Sequence, residues 1–375
     1  MELIEAIPWA RNALALARRP EAERIAAAVD AHRVVGLLGE ADVGKTETIR
    51  QVLLSDPDRI ATIHLDLDGA ASDEHLGFQL AKEIARVELG VTDLSLLSGR
   101  ALLPTRVERA RIELAELLGV EGLDEALRRW PSGHFPFLRG LRCLEALARR
   151  RPTILWLDHL ESPALTPRHP VRVDQLLWGI REIVQREPNL RVLLSGREGM
   201  RRQVLGPKAA FHQQGMWLSI DNPPAGAWRE TAEQMAVSAA VTEHLAEMTG
   251  GHPVTMLLAL LQLRYEPTLR TAYDTLRDLA ARDDGLAGRA IQHARSLHRL
   301  GGQVMNQIAV GERPYAASQR GRSSTQEIRK VLERLRLAGL LRPGERWEIV
   351  NPLVAIRLRG SVHLMAEPDL PDESA

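Results

Sequence analysis

Residues 33–46 read RVVGLLGEADVGKT, and the class of fold follows from this stretch. After Arg33 it begins with an uncharged, mostly apolar run of a length that predicts a buried β-strand. From Gly39 to Thr46 it matches the pattern G-x-x-x-x-G-K-[ST] in full,. A helix is predicted from Lys45 to Leu54. Strand, glycine-rich turn and helix in this order predict a loop that binds phosphate groups.

The spacing of this motif suits the chemistry of a bound polyphosphate. Glycines let the backbone turn so that successive N–H groups face phosphate oxygens, and the helix that follows adds its positive N-terminal end. The Lys45 ammonium is expected to reach the outer phosphates, and the Thr46 hydroxyl is expected to ligate Mg²⁺. The residues predicted to bind the nucleotide, ATP or ADP, in this loop are Gly39, Ala41, Asp42, Val43, Gly44, Lys45, Thr46 and Glu47.

Four more apolar, β-rich segments follow along the chain, at residues 60–68, 153–158, 190–195 and 216–220. Helical patterns separate them, so the connections between strands are crossovers, and crossovers predict a parallel, doubly wound sheet. After residue 224 only helical patterns follow, up to about residue 284. The predicted architecture is therefore an α/β fold, a five-stranded parallel sheet of the P-loop NTPase type followed by a helical lid.

Asp158 ends the third of these strands. It would hold Mg²⁺ through water, although an aspartate at the end of a strand is also a common turn residue. The next position is His159, where many such ATPases carry a carboxylate that polarises the attacking water. A neutral imidazole can orient a water, but a carboxylate is the better base. Glu161 could serve only if the loop folds back. With Lys45, Asp158, His159 and Glu161 as catalytic candidates, we expect slow or partner-stimulated hydrolysis of ATP.

Composition excludes several classes of protein. The chain of 375 residues is 45% hydrophobic and 26% charged, which is typical of a globular protein with buried cores,. Its single cysteine, Cys143, excludes an internal disulfide framework and a cysteine-based zinc site,. No apolar run is long enough for a membrane span, and the N-terminus lacks the pattern of a signal peptide,. We expect a cytoplasmic protein.

Charge is segregated along the chain, although Lys and Arg balance Asp and Glu at 49 each. The segment from Gly285 to Met365 has 14 basic and 5 acidic residues, whereas the rest of the chain has 35 basic and 44 acidic ones. A basic C-terminal module on an acidic body indicates a nucleic acid or another acidic partner for that module.

The basic segment has the pattern of a winged helix-turn-helix domain. A helix is predicted at 300–310, and a second begins with the capping residues of 323–327 and ends at Gly339,. The apolar face predicted for this second helix consists of Ile328, Val331, Leu332, Leu335 and Leu337. Two short β-like runs around Pro343-Gly344 then predict a hairpin. Such a helix can enter a major groove, while loop and wing cations contact phosphates. Scarce aromatic residues favour a duplex over a single strand. The cations predicted to contact duplex DNA are Arg322, Arg329, Lys330, Arg334, Arg336 and Arg346.

Two further segments resemble motifs of the STAND-class ATPases, a branch of the AAA+ group. The fourth strand ends in LLSGR, residues 193–197, which resembles their polar-then-arginine sensor. This resemblance implies a phosphate-sensing role for Arg197. TGGHP, residues 249–253, resembles the glycine-x-proline motif by which their lid closes over the nucleotide. It implies that His252 and Pro253 lie at that nucleotide.

The resemblance extends over about residues 21–360. It is closest to the archaeal-ATPase type, in which a winged helix follows the nucleotide domain and lid. The family's N-terminal arginine motif helps to cover the adenine and would fall between Arg18 and Arg24. Its preceding glycine is absent here, so no adenine-binding residue is assigned. The histidine-bearing motif that holds ADP in some relatives is not visible in the C-terminal module.

Two functions remain open. The first is an ATP-binding switch in which Mg-ATP binding and slow hydrolysis rearrange a winged helix that engages duplex DNA, as in DNA mobility, transcription control or phage defence. The second is a nucleotide-regulated scaffold subunit whose winged helix docks protein. Winged helices of the STAND class often pack on the nucleotide domain, where these arginines would meet the acidic body. A separate effector protein and a homo-oligomer are further candidate partners.

The expected domains follow from these patterns. They are a P-loop nucleotide-binding domain with an N-terminal helix at 1–223, a helical lid at 224–285, a winged-helix domain at 286–365 and an acidic tail at 366–375.

Overall fold

The computed structural model describes residues 8–53, 60–68, 72–90, 104–129, 135–162, 173–265, 268–314 and 324–360. Arg322 and the predicted acidic tail lie outside these residues. The chain divides into two compact units made of alternating segments. The described residues of Met1–Ala22, Gly39–Thr48 and Ile220–Ala375 form unit 1, and those of Glu23–Leu38 and Ile49–Ser219 form unit 2. Within the described part of the chain, no helix has both the length and the apolar composition needed to cross a lipid bilayer.

A five-stranded β-sheet forms the centre of the α/β part of the chain. Its strands are β1 (Val34–Gly39), β2 (Ala61–Asp66), β3 (Thr153–Asp158), β4 (Leu190–Gly196) and β5 (Met216–Ile220). They lie in the order β2-β3-β4-β1-β5, and β2, β3, β4 and β1 pair in parallel. Parallel strands need crossover connections, which the helices between them supply. The predicted α/β fold with five strands is confirmed.

Burial along the strands follows from their composition. Every residue of β1 and β3 is buried, as expected of apolar strands inside a parallel sheet,. At the edge of the sheet, β2 alternates buried and half-buried residues. Asp66 at the end of β2 lies opposite Asp158 at the end of β3, and Ser195 lies near the end of β4. The register therefore collects three polar side chains at the carboxyl edge of the sheet.

Helices precede and connect the strands of the sheet. Up to β5 these are α1 (Pro8–Ala17), α2 (Arg19–Ala31), α3 (Lys45–Leu53), α4 (Asp73–Leu89), α5 (Pro104–Leu118), α6 (Leu123–Arg128), α7 (Phe137–Arg150), α8 (Val173–Arg186) and α9 (Arg201–Leu205). Helix α4 begins where the Ser72 side chain accepts a hydrogen bond from the His75 N–H, and it ends at Gly90 in the left-handed region,. Helix α4 packs against β2 and α7. A side chain at Gly77 would prevent this, because its Cβ would lie 2.1 Å from the Phe135 oxygen.

Behind β5, unit 1 continues with helices. The described ones are α10 (Arg229–Glu233), α11 (Ala239–Thr249), α12 (Pro253–Tyr265) and α13 (Leu269–Ala281). We call α11–α13 and their connections the lid segment. Their apolar faces and α1 enclose one core, which includes Leu14, Trp228, Leu260 and Leu276. Helix α12 begins at Pro253, because proline fixes φ near the helical value and the first helical N–H needs no partner.

The C-terminal module, residues 286–360, has its own core. Its elements are α14 (Leu286–Leu297), α15 (Gly301–Ala309), α16 (Thr325–Leu337), β6 (Leu341–Arg342), β7 (Glu348–Ile349) and α17 (Pro352–Leu358). The Ser324 side chain caps α16 by accepting a hydrogen bond from the Glu327 N–H,. The apolar face predicted for α16 is buried, and β6 pairs with β7 as an antiparallel hairpin. The second predicted helix and the hairpin therefore lie where the sequence pattern predicts them.

Candidate functional site

The loop between β1 and α3 is folded on itself in unit 1. The Lys45 Nζ donates hydrogen bonds to the carbonyls of Gly39, at 3.0 Å, and Glu40, at 2.6 Å. Asp42 and Gly44 have positive φ angles of 57° and 91°, which bend the loop tightly,. A Cβ on Gly39 would lie 2.3 Å from the Ile220 oxygen, so only glycine fits there. Lys45 and Thr46 are both buried. This is the closed turn that a phosphate-binding loop requires.

Helix α3 begins at the end of this loop, and its first turn holds Gly44 of the loop in place. The Thr48 N–H and hydroxyl both donate to the Gly44 carbonyl, at 3.0 Å and 2.8 Å. The free N–H groups of a helix's first turn and the helix dipole favour a bound anion. Thr46 stands in this first turn, where its hydroxyl is a hard oxygen ligand of the kind Mg²⁺ prefers,.

Arg18 is a candidate that the sequence patterns did not assign. Its side chain is wholly buried, and its guanidinium donates a hydrogen bond to the Val43 carbonyl of the loop. Burial lowers the pKa of Arg18 to about 10, against the opposing charges of Glu21 and Asp221, so the group stays cationic at neutral pH. Its Nε has no hydrogen-bond partner among the described residues. The arginine-rich segment of 18–24 was a sequence signal for Arg18, but no role was assigned because the glycine that precedes the family's arginine motif is absent.

The turn between α11 and α12 contains the predicted lid residues. Gly250 and Gly251 have positive φ angles of 61° and 68°, and a Cβ on Gly251 would lie 2.2 Å from the Pro223 oxygen. His252 is 3% exposed, and its Nδ1 has no hydrogen-bond partner among the described residues. Burial lowers the pKa of His252, with the charge of Asp42 opposing and that of Arg18 adding to the effect. We call residues 39–46, the loop between β1 and α3, the phosphate loop. The charge of Asp42 in this loop thus acts on the pKa of His252, and the imidazole is neutral at neutral pH.

Asp158 is held by a hydrogen-bond network in unit 2. It is 1% exposed, and its Oδ1 accepts hydrogen bonds from the Ser195 hydroxyl, at 2.6 Å, and from the His159 N–H, at 2.9 Å. The Ser195 oxygen in turn accepts a hydrogen bond from the Trp156 indole N–H at 2.8 Å. Asp158 therefore has a defined orientation at the end of β3. Ser195 and Trp156 were not assigned from the sequence, although a polar residue that ends a buried strand was a signal for Ser195.

His159 forms an ion pair with Asp66. Its φ is 56°, and its Nδ1 lies 2.8 Å from the Oδ1 of Asp66. Burial alone would lower the pKa of His159, but the hydrogen bond to Asp66 and the charges of Asp158, Asp66 and Glu161 raise it to about 9. At neutral pH the imidazole is therefore protonated. The neutral imidazole considered as a water-orienting group is not the form that this arrangement favours.

Glu161 and Arg197 form an ion pair with each other. The loop after β3 turns back through a hydrogen bond from the Ser162 N–H to the His159 carbonyl, at 2.9 Å. It places the 3%-exposed Glu161 with its Oε1 3.0 Å from the Arg197 Nε, while its Oε2 accepts from the Arg197 N–H at 3.1 Å. The predicted sensor arginine and the alternative base thus neutralise each other in this conformation.

His64 is a further group beside Asp158 that the sequence did not point out. Its ring stacks on Trp156 with centroids 3.9 Å apart, and its Nε2 lies 4.0 Å from the Asp158 Oδ2. Burial lowers the pKa of His64, against the charges of Asp158 and Asp66. The described residues contain no group of three or more His, Cys, Asp or Glu side chains that could hold a metal ion. A magnesium ion here would need oxygens of the nucleotide as ligands.

The cations predicted to contact DNA fall into two sets. Arg329, Lys330 and Arg346 are exposed, and no hydrogen bond of their side chains is described. Arg334 instead donates to the Leu297 carbonyl at 2.9 Å, which caps the end of α14. Arg336 donates to both oxygens of Glu333, at 2.6 Å and 3.1 Å. Only the first set is available to a partner without breaking a contact of the module.

The fold is similar to that of one solved ATPase, and two further solved structures resemble it more weakly. The Walker-type ATPase of Pyrococcus abyssi superposes with a TM-score of 0.65 at 16% identity, over 91% of this chain and 95% of that chain. The ORC2 protein of Aeropyrum pernix, solved in ADPNP–ADP complexes, gives a TM-score of 0.48 at 14% identity over 93% of both chains. The ORC1 protein of the same organism, solved in complex with DNA, gives 0.43 at 14% identity over 92% of both chains.

No family model matches the chain, and no curated protein matches its sequence. At 16% identity, the likeness to the Pyrococcus abyssi protein shows a shared fold. The α/β fold predicted from the P-loop motif and the five strands is thereby supported by an independent structure.

Proposed function

We propose that this protein is an ATP-binding molecular switch of the STAND class of AAA+ ATPases. Binding and slow hydrolysis of Mg-ATP would rearrange its C-terminal module, a winged-helix domain that engages duplex DNA. The observation that carries the proposal is the complete G-x-x-x-x-G-K-T motif, folded as a closed turn at the start of α3. Lys45 donates hydrogen bonds to two carbonyls of that turn, and in a loop of this motif the lysine is the residue that reaches the outer phosphates,.

Each part of the site has a role in this proposal. The loop N–H groups and Lys45 would bind the phosphates, with Thr46 and Asp158 as the oxygen ligands of Mg²⁺, directly and through water. The ion would supply charge neutralisation between the phosphates. The donor set fits, because hydroxyl and carboxylate oxygens are the hard ligands that Mg²⁺ prefers. His252 and Pro253 of the lid segment would lie over the nucleotide, as the family resemblance implies.

Slow turnover follows from the groups beside Asp158. Polarising the attacking water needs a proton acceptor. His159 is engaged with Asp66 and is protonated at neutral pH, so it offers no acceptor. Glu161 is paired with Arg197, so a rearrangement of the loop after β3 would have to release it first. A partner that releases this pair would stimulate hydrolysis.

The second candidate is a nucleotide-regulated scaffold subunit whose C-terminal module docks protein. It is favoured by the number of arginines that the module uses internally. Besides Arg334 and Arg336, Arg299 pairs with Glu327 and Arg342 with Glu348, at 2.8 Å each. These contacts engage arginines of the module that would otherwise be available to the phosphates of DNA.

Nucleotide binding tests the first part of the proposal. We expect wild-type protein to bind a fluorescent ATP analogue with Mg²⁺, and Lys45→Ala to lose at least about tenfold in affinity, because a charged hydrogen bond to phosphate contributes about 1.5–3 kcal/mol. Lys208→Ala is the matched control, because Lys208 is exposed and lies outside the loop. Equal affinity of wild type and Lys45→Ala, or no binding by wild type, contradicts the nucleotide site.

ATP turnover with and without duplex DNA separates the two candidates. Turnover that duplex stimulates and Lys45→Ala abolishes supports the DNA-engaging switch. Bound nucleotide with no duplex affinity at physiological salt supports the scaffold subunit, whose partner would then be sought as a protein that copurifies in a stable complex.

A further inference from the structure

Helix α17 belongs to two hydrophobic cores at once. Leu353 is buried in the core of the lid segment, and Ile356 packs against the same core. Val354 is buried in the core of the C-terminal module, against which Leu358 packs. Residues three or four apart share a face of a helix, so 353 and 356 form one face and 354 and 358 another. This short helix therefore has one apolar face on the lid segment and one on the module.

Polar contacts of α17 reach both neighbours too. The Arg357 guanidinium donates to the Ala280, Ala281 and Arg282 carbonyls at 3.1, 2.8 and 2.5 Å, and it pairs with Asp283. These carbonyls end α13 and have no partner within the helix, so Arg357 acts as its cap. Two residues on, the Arg359 Nε donates to the Ala309 carbonyl at the end of α15, at 2.7 Å.

The start of α17 faces the turn of the lid segment that carries His252. A Cβ on Gly250 would lie 2.9 Å from the Pro352 Cγ, so the Gly250 backbone lies close to the Pro352 ring. The Gly250 carbonyl accepts a hydrogen bond from the Asn222 side chain at 2.9 Å. Two residues further, His252 lies within reach of the Asp42 charge in the phosphate loop. Leu14 shares the buried core of Leu353 and lies against Gly44 of the loop, where a Cβ would be 3.2 Å from the Leu14 Cδ2. Contacts within unit 1 thus lead from α17 to the loop through this core.

We propose that α17 holds the lid segment and the C-terminal module together as one rigid body, so that a ligand on the module changes the affinity of the phosphate loop for nucleotide. Displacing the module from the lid segment would expose two apolar faces and uncap α13, which opposes independent motion. The coupling is reciprocal, because linkage requires that nucleotide change the module's affinity by the same factor. The second half of this inference rests on the proposed function, whereas the rigid body does not.

A distance measurement tests the rigid body without any ligand. Spin labels at Glu247→Cys in α11 and Gln303→Cys in α15 report on the two parts, because both residues are exposed. Cys143 is buried, and burial raises its pKa to about 12, so it does not react. We expect one narrow distance distribution, unchanged by Mg-ATP. Arg357→Gln combined with Ile356→Ala should broaden it, whereas Arg313→Gln, a change at an exposed arginine of the module, should not.

Three results would overturn the rigid body. They are a broad distribution in the wild type, a distance that shifts with nucleotide, and an unchanged distribution in the double variant. If the double variant does not fold by circular dichroism, the single variants decide in the same way, because each removes contacts of α17 with the lid segment and leaves the buried Leu353 and Val354 in place.

Nucleotide affinity with and without duplex DNA tests the coupling. For wild type we expect duplex to change the Kd for the ATP analogue by about fivefold or more, the usual range of coupling between two sites. In Arg357→Gln the ratio should fall below about twofold. An unchanged ratio in this variant, or no effect of duplex on wild type, overturns the coupling. Absence of nucleotide binding by wild type would instead overturn the proposed function, while the spin-label distances still decide on the rigid body.

Discussion

Asp158 shows how a single buried carboxylate is kept in place. An ionised group removed from water is costly unless hydrogen bonds compensate it. The Ser195 hydroxyl and the His159 N–H do so, and Trp156 orients the hydroxyl through its indole N–H. The same bonds give Asp158 the fixed orientation that a metal ligand needs.

Removing one of these donors should destabilise the protein. We expect Ser195→Ala to lower the free energy of unfolding by about 1–3 kcal/mol, because a buried acceptor loses its partner. Urea denaturation measures the change. The matched control is Ser296→Ala, at an exposed serine of α14 that bonds only the His293 carbonyl, and it should stay within about 0.5 kcal/mol of wild type,. Equal stability of the two variants would show that Ser195 does not hold Asp158.

The ion pair of His159 with Asp66 predicts a dependence of stability on pH. The pKa of His159 is raised from its ordinary value of 6.5 to about 9, so its contribution is complete below about pH 6.5 and is lost as pH rises through about 9,. The pKa of Asp66 is lowered, so its contribution is present above its ordinary value of 3.8 and is lost as pH falls. Burial alone would lower the pKa of His159 and raise the pKa of Asp66, so it opposes both shifts.

Urea denaturation at about pH 7 and about pH 9.5 measures this contribution. Wild type should lose stability over this interval, whereas His159→Gln, which has no titrating ring, should lose less. Parallel losses in the two proteins would show that the pair does not titrate in this range.

At the scale of elements, α16 carries the exposed cations on which the proposed DNA binding would depend. Its face toward the module's core is apolar, and its outer cations divide into free and engaged ones. Arg329 and Lys330 are adjacent in sequence and both are exposed, whereas Arg334 caps α14 through the Leu297 carbonyl. The sequence pattern predicted the same DNA-contacting role for all of these residues. In the structure Arg329 and Lys330 are exposed, whereas Arg334 stabilises the module through its contact with α14.

Salt dependence of duplex affinity should separate the two sets. Arg329→Ala combined with Lys330→Ala should weaken binding and reduce the slope of log K against log salt by about 2, because each phosphate contact contributes about 0.9. Arg334→Ala should leave the slope unchanged and lower the melting temperature. Fluorescence anisotropy gives both the affinity and the slope.

The control for this experiment changes net charge by the same amount elsewhere. Arg24→Ala combined with Lys208→Ala alters two exposed cations outside the module. A slope reduced as much by this control would mean that net charge, and not the α16 surface, determines binding.

At the scale of the whole molecule, the chain alternates between its two units. The phosphate loop, the lid segment and the C-terminal module belong to unit 1, although the segment Ile49–Ser219 of unit 2 separates the loop from the other two along the chain. The residues at the ends of β2, β3 and β4 belong to unit 2. The proposed switch therefore draws its nucleotide-binding loop and its output module from one unit, which is the physical basis for coupling them through α17.

Local patterns determined much of this protein from sequence alone. The apolar run of β1, the glycine-rich turn and the start of α3 were predictable because each depends on neighbouring residues. The other four strands and the buried face of α16 were predictable for the same reason, since periodicity and caps are local properties. Lys45, Thr46 and Asp158 were candidates because the motif and the end of a strand mark them directly.

Tertiary structure alone decided which side chains meet. Ser195 and Asp158 are 37 residues apart in sequence and Asp66 and His159 are 93 apart, so only the order and register of the strands bring each pair together. The contact of Arg18 with the loop depends on how α1 lies against it, as the approach of Leu14 to Gly44 shows. Helix α17 follows the hairpin of the C-terminal module in sequence, and only packing places one of its faces in the core of the lid segment. Side-chain partners far apart in sequence are set by the packing of whole elements, and no local pattern encodes them.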